Sequence, residues 1–226
     1  MQQVRVIEVK ENIFAKNDII AGEIREQMRK QRTFFLNVMS GPGSGKTTLL
    51  TATINALKDK YRIGVMDMDI DSSVDAQTVA DATGVEALQL HNGGLCHTDA
   101  DMVRQALEEY DTAGLDLLIL ENIGNLVCPA EFDTGAHKKA AILSVPEGDD
   151  KPLKYPLMFV VADVLLINKI DVLPVFDFDL ERLRKNVRQR NQRADILPIS
   201  AKTGEGMSAW LDWLCRAIAA EKRKKK

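Results

Sequence analysis

Short apolar runs alternate along the chain with segments in which apolar residues recur every three or four positions. The first pattern is typical of buried strands, and the second of helices with one apolar face. The apolar runs predict strands over residues 33–39, 61–67, 87–90, 115–121, 139–145, 163–168 and 194–199. The amphipathic segments predict helices over residues 46–58, 75–82, 98–110, 155–160, 178–190 and 206–221. Such alternation predicts an α/β protein, with a mostly parallel sheet flanked by helices on both faces.

The two ends of the chain depart from this alternation. Residues 1–16 are expected to be extended. The spacing of four apolar residues predicts a helix after them that packs against the domain; these residues are Ile19, Ile20, Ile24 and Met28. A basic run closes the sequence and is expected to be solvated, as chain termini commonly are. The predicted organisation is an arm and helix over residues 1–32, one domain over residues 33–221 and a basic tail over residues 222–226.

A glycine-rich loop joins the strand predicted at 33–39 to the helix that follows it. Its sequence, G-P-G-S-G-K-T-T at 41–48, matches the phosphate-binding pattern G-x-x-x-x-G-K-[ST] at every required position. In such a loop the backbone N–H groups surround the phosphates, the lysine reaches the β and γ phosphates, and the hydroxyl ligates Mg²⁺. The sequence therefore predicts that a nucleoside triphosphate contacts Gly41, Gly43, Ser44, Gly45, Lys46, Thr47 and Thr48.

Two later motifs bear on which base is bound. The sequence N-K-I-D at 168–171 ends one predicted strand, and S-A-K at 200–202 follows the next. The Asp171 carboxylate can accept hydrogen bonds from the N1–H and the exocyclic amine of guanine, a donor pair that adenine lacks. The two motifs, in this order behind a phosphate loop, predict GTP as the ligand. The expected base-side contacts are Asn168, Lys169, Asp171, Ser200, Ala201 and Lys202.

Acidic residues lie near the predicted strand ends between these motifs, where they would face the phosphates. Thr47, Asp69, Asp75 and Glu121 form the expected magnesium set. Lys46, Asp75 and Glu121 are the expected catalytic residues, and the pattern leaves open which acid orients the attacking water. A structural role is the alternative for Asp75, because its charge would also favour the start of the next helix.

Composition and charge narrow the class of partner. The chain has 226 residues and a net charge of −3, which gives no global electrostatic basis for binding nucleic acid. No apolar stretch is long enough to span a membrane, and residues 1–5 do not resemble a secretory signal. We therefore expect a cytoplasmic protein that binds neither nucleic acid nor membrane, and whose three cysteines do not form disulfides.

Two of the three cysteines lie on polar connections of the predicted sheet. Cys96 and His97 precede a T-D-A-D segment at 98–101 that is expected to start a helix, and Cys128 follows the predicted strand that ends at Glu121. Thiols and an imidazole suit Zn²⁺ or Ni²⁺. Because no C-x-x-C pattern is present, structural cysteines remain the alternative. Cys215 has the helical spacing of a core residue.

Four segments together resemble the HypB family, the hydrogenase nickel-incorporation GTPases. These segments are L-C-H-T-D-A at 95–100, E-N-I-G-N-L-V-C-P at 121–129, E-G-D-D-K-P-L-K-Y-P at 147–156 and N-K-I-D at 168–171. The resemblance extends to about residue 215 and implies a P-loop NTPase fold of the SIMIBI type. It also implies a GTP-dependent homodimer that delivers nickel to the large subunit of [NiFe]-hydrogenase, together with a small zinc-containing partner.

The resemblance assigns the shared metal site of the family, for nickel or zinc, to Cys96, His97 and Cys128. Lys151 and Lys154 are candidates to reach the nucleotide of the other subunit, although a solvated charged loop is the alternative. Some relatives carry a cysteine motif or a histidine-rich tract near the N-terminus, whereas the first cysteine here is Cys96. Storage of many nickel ions is therefore not expected.

Two alternative functions remain open, and two histidines are expected to have no role at the metal site. The alternatives are a urease-type nickel-maturation GTPase, and a scaffold whose nucleotide controls dimerisation and whose cysteines are structural. His91 and His137 do not match the metal positions of the family and are expected to be surface or packing residues.

Overall fold

A single parallel sheet forms the centre of the domain in this computed structural model, which describes residues 9–69 and 73–224, with side chains from residue 13. Its strands are β1 (Phe34–Ser40), β2 (Ile63–Asp69), β3 (Ala87–His91), β4 (Leu117–Gly124), β5 (Lys138–Ser144), β6 (Val164–Asn168) and β7 (Asp195–Pro198). In the described residues the order is β3-β2-β4-β1-β5-β6-β7, and every pairing is parallel. The predicted α/β class is confirmed.

Helices connect the strands and cover both faces of the sheet. They are α1 (Val9–Gln31), α2 (Lys46–Leu57), α3 (Val74–Thr83), α4 (Ala100–Glu109), α5 (Cys128–Glu131), α6 (Lys151–Lys154), α7 (Pro156–Val161), α8 (Leu180–Arg188) and α9 (Met207–Arg223). The one-turn helices α5 and α6 are too short to show a helical period and were not predicted. No helix among the described residues has the length and apolar character needed to cross a membrane.

Strand β1 shows why the central strands read as continuous apolar runs. Phe34, Leu36 and Val38 face one side of the sheet and pack with α2 and α9. Phe35 faces the other side and packs with α1 and α4, and Met39 packs on that same side with α7 and α8. Because both faces are covered, apolar residues are required at successive positions rather than alternate ones.

The N-terminal segment differs from its predicted extended form. Helix α1 begins at Val9, so the prediction is wrong for residues 9–16, and residues 1–8 lie outside the described residues. Ile24 and Met28 are buried against the sheet, as the helical spacing predicted. Ile19 is 64% exposed on the outer face. The polar residues of this segment obscured the apolar period that would have extended the predicted helix.

The basic C-terminal run is also more ordered than predicted. Helix α9 continues to Arg223, Lys222 forms an ion pair with Asp116, and the Lys224 ammonium lies 2.5 Å from a carboxylate oxygen of Glu221. The predicted solvated tail is therefore wrong for Lys222, whereas Arg223 and Lys224 are exposed as expected, and residues 225–226 lie outside the described residues. Cations are favoured in the last turn of a helix, because the exposed carbonyl groups there carry partial negative charge.

Strand β4 is longer than predicted, with consequences for the site. It continues to Gly124, because β1 extends to Ser40 and pairs with it after an irregularity in the register. Glu121 and Asn122 therefore lie within a strand, with their side chains on opposite faces of the sheet. Helix α4 starts at Ala100 instead of residue 98, and its cap is Asp99, whose carboxylate accepts a hydrogen bond from the Met102 N–H at 2.9 Å.

The two remaining histidines take the packing and surface positions expected of them. The His137 imidazole is buried, and its Nδ1 accepts a hydrogen bond from the Phe35 N–H at 2.9 Å. Burial lowers the pKa of His137 to about 4, so the ring is neutral near pH 7. His91 ends β3 and is exposed.

Candidate nucleotide and metal site

The phosphate-binding loop follows β1 and passes closely beneath the N-K-I-D segment. Gly45 has a φ of 94°, and a Cβ there would lie 2.6 Å from Nδ2 of Asn168. The same Nδ2 donates a hydrogen bond to the Ser44 carbonyl at 2.9 Å. Glycine is therefore required at position 45, both for its left-handed backbone and for the close approach of Asn168.

Strand pairing brings two carboxylates together beside the loop. Asp67 in β2 is directly opposite Glu121 in β4, and their exposed fractions are 3% and 1%. Neither oxygen of Glu121 and only one oxygen of Asp67 has a hydrogen-bond partner. The Thr47 hydroxyl, at the start of α2, donates a hydrogen bond to Asp75 at 3.0 Å. This arrangement gathers oxygen ligands next to the loop lysine, Lys46.

Burial of these acids shifts their ionisation strongly. Burial, and then the charge of Asp67, raises the pKa of Glu121 to about 8, and the charge of Lys46 partly offsets the shift. Burial, followed by the charges of Asp75 and Asp69, raises the pKa of Asp67 to about 6. Mg²⁺ binds oxygen ligands and supplies the positive charge that unpaired buried carboxylates lack. The donor set therefore fits a magnesium ion.

The predicted acidic residues differ in how they relate to the phosphate loop. Asp75 contacts Thr47 directly, and Asp69 ends β2 close enough to raise the pKa of Asp67. Asp67 was absent from the predicted magnesium set. Its signal in the sequence is its position at the end of an apolar run, which parallel pairing places beside Glu121.

The two base-side motifs are joined to each other and to the phosphate loop. Oδ1 of Asn168 accepts from the Ala201 N–H at 3.1 Å, and the Asp171 carboxylate accepts from the Ser200 hydroxyl at 2.6 Å. Lys169 donates to the Gly43 carbonyl at 2.7 Å. A cavity of about 280 Å³ lies between these segments and is lined by Gly45, Thr48, Asn168, Lys169, Asp171, Val172, Ser200, Ala201 and Lys202.

Lys169 holds an unusual backbone conformation within this motif. Its φ of 63° lies in the left-handed region, which is unfavourable for a residue with a side chain. The turn sends the lysine side chain back over the phosphate loop, where its ammonium bonds to Gly43. Asp171 then begins a short helical turn over Ile170–Val175, with its carboxylate beside Ser200.

Cys96 and Cys128 meet at the surface beyond the end of β4. Their sulfur atoms are 2.9 Å apart and share a hydrogen bond, with Cys96 exposed and Cys128 half-buried. This bond and the partial burial raise the pKa of the Cys128 thiol. Tetrahedral Zn²⁺ with bonds of about 2.3 Å holds two sulfurs roughly 3.8 Å apart, so a small separation of the pair would admit one metal ion.

The His97 ring makes an aromatic contact. It stacks on Phe132 with centroids 4.1 Å apart and planes inclined by 11°. Phe14 of α1 also packs on Phe132, with centroids 5.1 Å apart. No group of three or more His, Cys, Asp or Glu side chains in the described part of the chain is arranged to hold a metal ion. The structure thus brings together two of the three predicted ligands.

Lys151 and Lys154 lie on α6, in a segment that begins beside the phosphate loop. A Cβ on Gly41 would lie 2.5 Å from the Glu147 carboxylate, which shows how closely that segment approaches the loop. The ammonium groups of Lys151 and Lys154 are 3.5 and 2.5 Å from the Asp150 carboxylate. Both lysines are therefore paired within the chain.

We expect Glu121→Gln to stabilise the nucleotide-free and magnesium-free protein at pH 8. The pKa of Glu121 rises from 4.5 to about 8 on folding, so the folded state holds more protons between these values and stability falls as the pH rises through them. The neutral amide removes this loss, with a gain of about 1–3 kcal/mol. Urea unfolding at pH 5 and pH 8 measures the effect.

Glu108→Gln provides the matched control, because Glu108 lies exposed on α4. We expect its unfolding free energy to follow the wild-type pH dependence. Parallel pH profiles for Glu121→Gln and wild type would contradict the inferred burial of an unpaired carboxylate.

Comparison with known proteins agrees with this arrangement. A family model described as CobW/HypB/UreG, nucleotide-binding domain, matches residues 35–198, which run from β1 to the end of β7. Hydrogenase maturation factor HypB of Rhizobium leguminosarum bv. viciae is 47% identical over 214 residues, or 95% of this chain and 71% of the relative. The match therefore includes the segments that contribute the phosphate loop, the acids and the thiol pair.

Two solved structures resemble the whole fold. HypB from Archaeoglobus fulgidus has a TM-score of 0.83 at 36% identity, covering 90% of this chain and 99% of its own. HypB from Helicobacter pylori in complex with nickel has a TM-score of 0.85 at 36% identity, covering 93% and 99%. These similarities confirm the predicted P-loop NTPase fold of the SIMIBI type. The chain therefore belongs to the HypB family, within the CobW/HypB/UreG class of nucleotide-binding domains.

Proposed function

We propose that this protein is a GTP-hydrolysing metallochaperone that inserts nickel into [NiFe]-hydrogenase during maturation. The observation that carries the proposal is the short connection between two sites. Strand β4 brings Glu121 to the phosphate loop, and the chain then reaches Cys128 of the thiol pair within seven residues. A nucleotide that moves the end of β4 would therefore also move a metal ligand.

Hydrolysis is assigned to the edge of the sheet where the phosphate loop, Asp75 and Glu121 meet. Lys46 binds the β and γ phosphates, and Thr47 presents its hydroxyl to magnesium beside Asp75. Magnesium, when bound, neutralises charge on the phosphates. Glu121 contributes a carboxylate whose ionisation depends on that added charge. Asp75 is the acid that the geometry favours for orienting water, because it directly contacts the start of α2.

Guanine is assigned to the cavity between the two base-side motifs. Asp171 faces this cavity, and its hydrogen bond with Ser200 sets the orientation of its carboxylate. A carboxylate in this position complements the paired donors of guanine and leaves adenine without that contact. These contacts support GTP over ATP as the substrate.

Nickel is assigned to the thiol pair, as cargo. Thiolate and imidazole ligands suit Ni²⁺ and also Zn²⁺, so Cys96, Cys128 and His97 form the proposed ligand set for either metal. The two sulfurs of one chain supply fewer ligands than the four that such a metal ion commonly takes. A homodimer would supply a second pair, and Lys151 and Lys154 could then reach the nucleotide of the partner subunit.

The delivery step requires further partners, for which the relatives provide the guide. Hydrogenase maturation factor is the name of the Rhizobium relative, and nickel is bound in the Helicobacter pylori structure. We infer that the partners are a small zinc-containing maturation protein and the hydrogenase large subunit, in the cytoplasm. A urease-type function is less well supported, because the Rhizobium and Archaeoglobus relatives are named hydrogenase maturation factors. A purely structural scaffold is less well supported, because the two thiols are adjacent.

We expect Asp171→Asn to weaken GTP binding and to favour xanthosine triphosphate relative to GTP. Xanthine carries an oxygen where guanine has its amine, so the asparagine amide gains a partner as the carboxylate contact is lost. The loss for GTP is expected to be about 1.5–3 kcal/mol, or roughly 10- to 100-fold in affinity. Competition binding with GTP, ATP and xanthosine triphosphate measures it.

Asp177→Asn is the matched control, since Asp177 is exposed and lies outside the base cavity. Its base preference should equal that of wild type. Unchanged GTP preference in Asp171→Asn would remove Asp171 from the base site.

We expect Cys96→Ala and Cys128→Ala each to abolish stoichiometric binding of Ni²⁺ or Zn²⁺ while GTP affinity stays near the wild-type value. The expected loss follows from the adjacent sulfurs, neither of which lies in the nucleotide cavity. Metal titration by calorimetry decides the outcome. Cys215→Ala controls for the loss of a thiol, because Cys215 packs against the core on α9. Full metal binding by both surface variants would make these cysteines structural.

We expect a GTP analogue with Mg²⁺ and Ni²⁺ to promote a two-fold symmetric dimer. In that dimer, we expect the double variant Lys151→Ala/Lys154→Ala to hydrolyse GTP more slowly than wild type. Removing cations that reach the partner's nucleotide lowers the rate but leaves binding of GDP to the monomer intact. Sedimentation in GTP analogue, GDP and no nucleotide, combined with phosphate release, gives both readouts. Lys30→Ala, an exposed lysine on α1, is the control. An identical mass in all three states would exclude the switched dimer.

A further inference from the structure

A buried row of polar side chains crosses the sheet on the face opposite Glu121. Asn122 is 1% exposed, and Asn37 and Thr98 are fully buried. Oδ1 of Asn122 accepts from the Thr98 hydroxyl at 3.0 Å, and its Nδ2 donates to Oδ1 of Asn37 at 3.1 Å. Neither nucleotide nor metal requires these three side chains as ligands. Their position in an otherwise apolar layer calls for a different role.

The two ends of this row lead to the two proposed sites. Asn37 lies in β1, which runs directly into the phosphate loop, and Asn122 follows Glu121 in β4. Successive strand residues face opposite sides, so a shift of Glu121 toward the phosphates also shifts Asn122. Thr98 is separated from Cys96 by one residue. Asn122 thus lies between the acid of one site and a thiol of the other.

The loop that carries Cys96 is built to move as one unit. The Asn92 side chain donates to the carbonyls of Leu95 and His97, at 2.8 and 3.1 Å, and so closes the loop on itself. Thr98 ends that loop and fastens it to β4 through Asn122. Cys96 therefore follows the position of Thr98 rather than moving freely at the surface.

The positions of both thiols consequently depend on Glu121 and Asn122 of β4. Cys128 is connected to Asn122 through the backbone, where the Asn125 side chain accepts from the Val127 N–H at 2.8 Å and tightens the turn. Cys96 is connected to Asn122 through Thr98. A displacement of β4 at Glu121 would thus be passed to both sulfurs, one by covalent chain and one by a hydrogen bond.

We propose that Thr98 is a positioning residue that couples the nucleotide state to the geometry of the thiol pair through its hydrogen bond to Asn122. The proposal rests on the proposed function, since it requires a metal at Cys96 and Cys128 and a nucleotide beside Glu121. It predicts that loss of the Thr98 hydroxyl uncouples nickel binding from nucleotide binding. Nickel and nucleotide still bind, but the affinity for nickel no longer depends on which nucleotide is bound.

Thr98→Val tests this by replacing the hydroxyl with a methyl group of similar size. Affinity for nickel alone is measured by chelator competition, with a non-hydrolysable GTP analogue, with GDP and without nucleotide. The nickel affinity of wild type should differ at least about 5-fold between the analogue-bound and GDP-bound states, which is the lower end of ordinary allosteric coupling. The nickel affinity of Thr98→Val should differ by less than about 2-fold between the same two states. Thr98→Ser keeps a hydroxyl and should restore the wild-type ratio. A wild-type ratio in Thr98→Val would overturn the proposal.

Hydrogen exchange on the wild-type protein supplies a test that needs no variant. Backbone amides of residues 93–98 should change protection between analogue and GDP together with those of residues 121–128. A change confined to residues 121–128 would overturn the relay even if Thr98→Val fails to fold. Failure of wild type to bind nickel at all would instead remove the proposed metallochaperone function, and exchange would still decide whether the two segments move together.

Discussion

Parallel pairing of β2 with β4 places the Asp67 and Glu121 carboxylates side by side, buried, next to the phosphate loop. Burial raises the pKa values of both acids; the charge of Asp67 adds to the shift of Glu121, and the charges of Asp75 and Asp69 add to the shift of Asp67. The chain alone provides Lys46 as a partial counter-charge. In the proposed function, a magnesium ion and a polyphosphate bound beside this pair would change the charge at the end of β4.

The end of β4 is the point from which the other features extend. On one face Glu121 meets the loop, and on the other Asn122 reaches Thr98 and the segment that carries Cys96. Beyond Gly124 the chain turns to Cys128. The base-side motifs are joined to each other and to the phosphate loop, through the bonds of Asn168 to Ala201 and Ser44. The phosphate loop is thus bonded directly to the proposed base cavity, whereas β4 continues from the loop toward the surface thiols.

The parts of this architecture that depend on local sequence could be predicted. Apolar runs located all seven described strands, five of which are buried over most of their length, while β3 and β7 at the two edges are only partly buried. The phosphate loop and N-K-I-D could be identified because each is a short contiguous pattern. The regions that were predicted wrongly depend on contacts distant in sequence. Helix α1 reaches back to Val9 through a polar segment, and Lys222 is ordered by Asp116, which is far away in the chain.

The missed site residues have the same explanation. Asp67 gains its place from the register of β2 against β4, and Thr98 was assigned to a helix cap because its true partner, Asn122, lies 24 residues further along. The proximity of Cys96 and Cys128 was suggested by their places on connections of the predicted sheet and was strengthened by the family resemblance, since no local spacing encodes it. The orientation of the His97 ring could not be predicted from sequence, because the ring stacks on Phe132, which also packs on Phe14 of α1.

The stack of His97 on Phe132 sets the direction in which the imidazole could bind a metal in the proposed ligand set. Imidazole coordinates through lone pairs that lie in the plane of the ring, whereas Phe132 covers a face of that ring. Stacking and coordination therefore use different parts of the same side chain and need not compete. Because the phenyl group sets the orientation of the ring plane, an ion bound by His97 as proposed would have to lie in that plane.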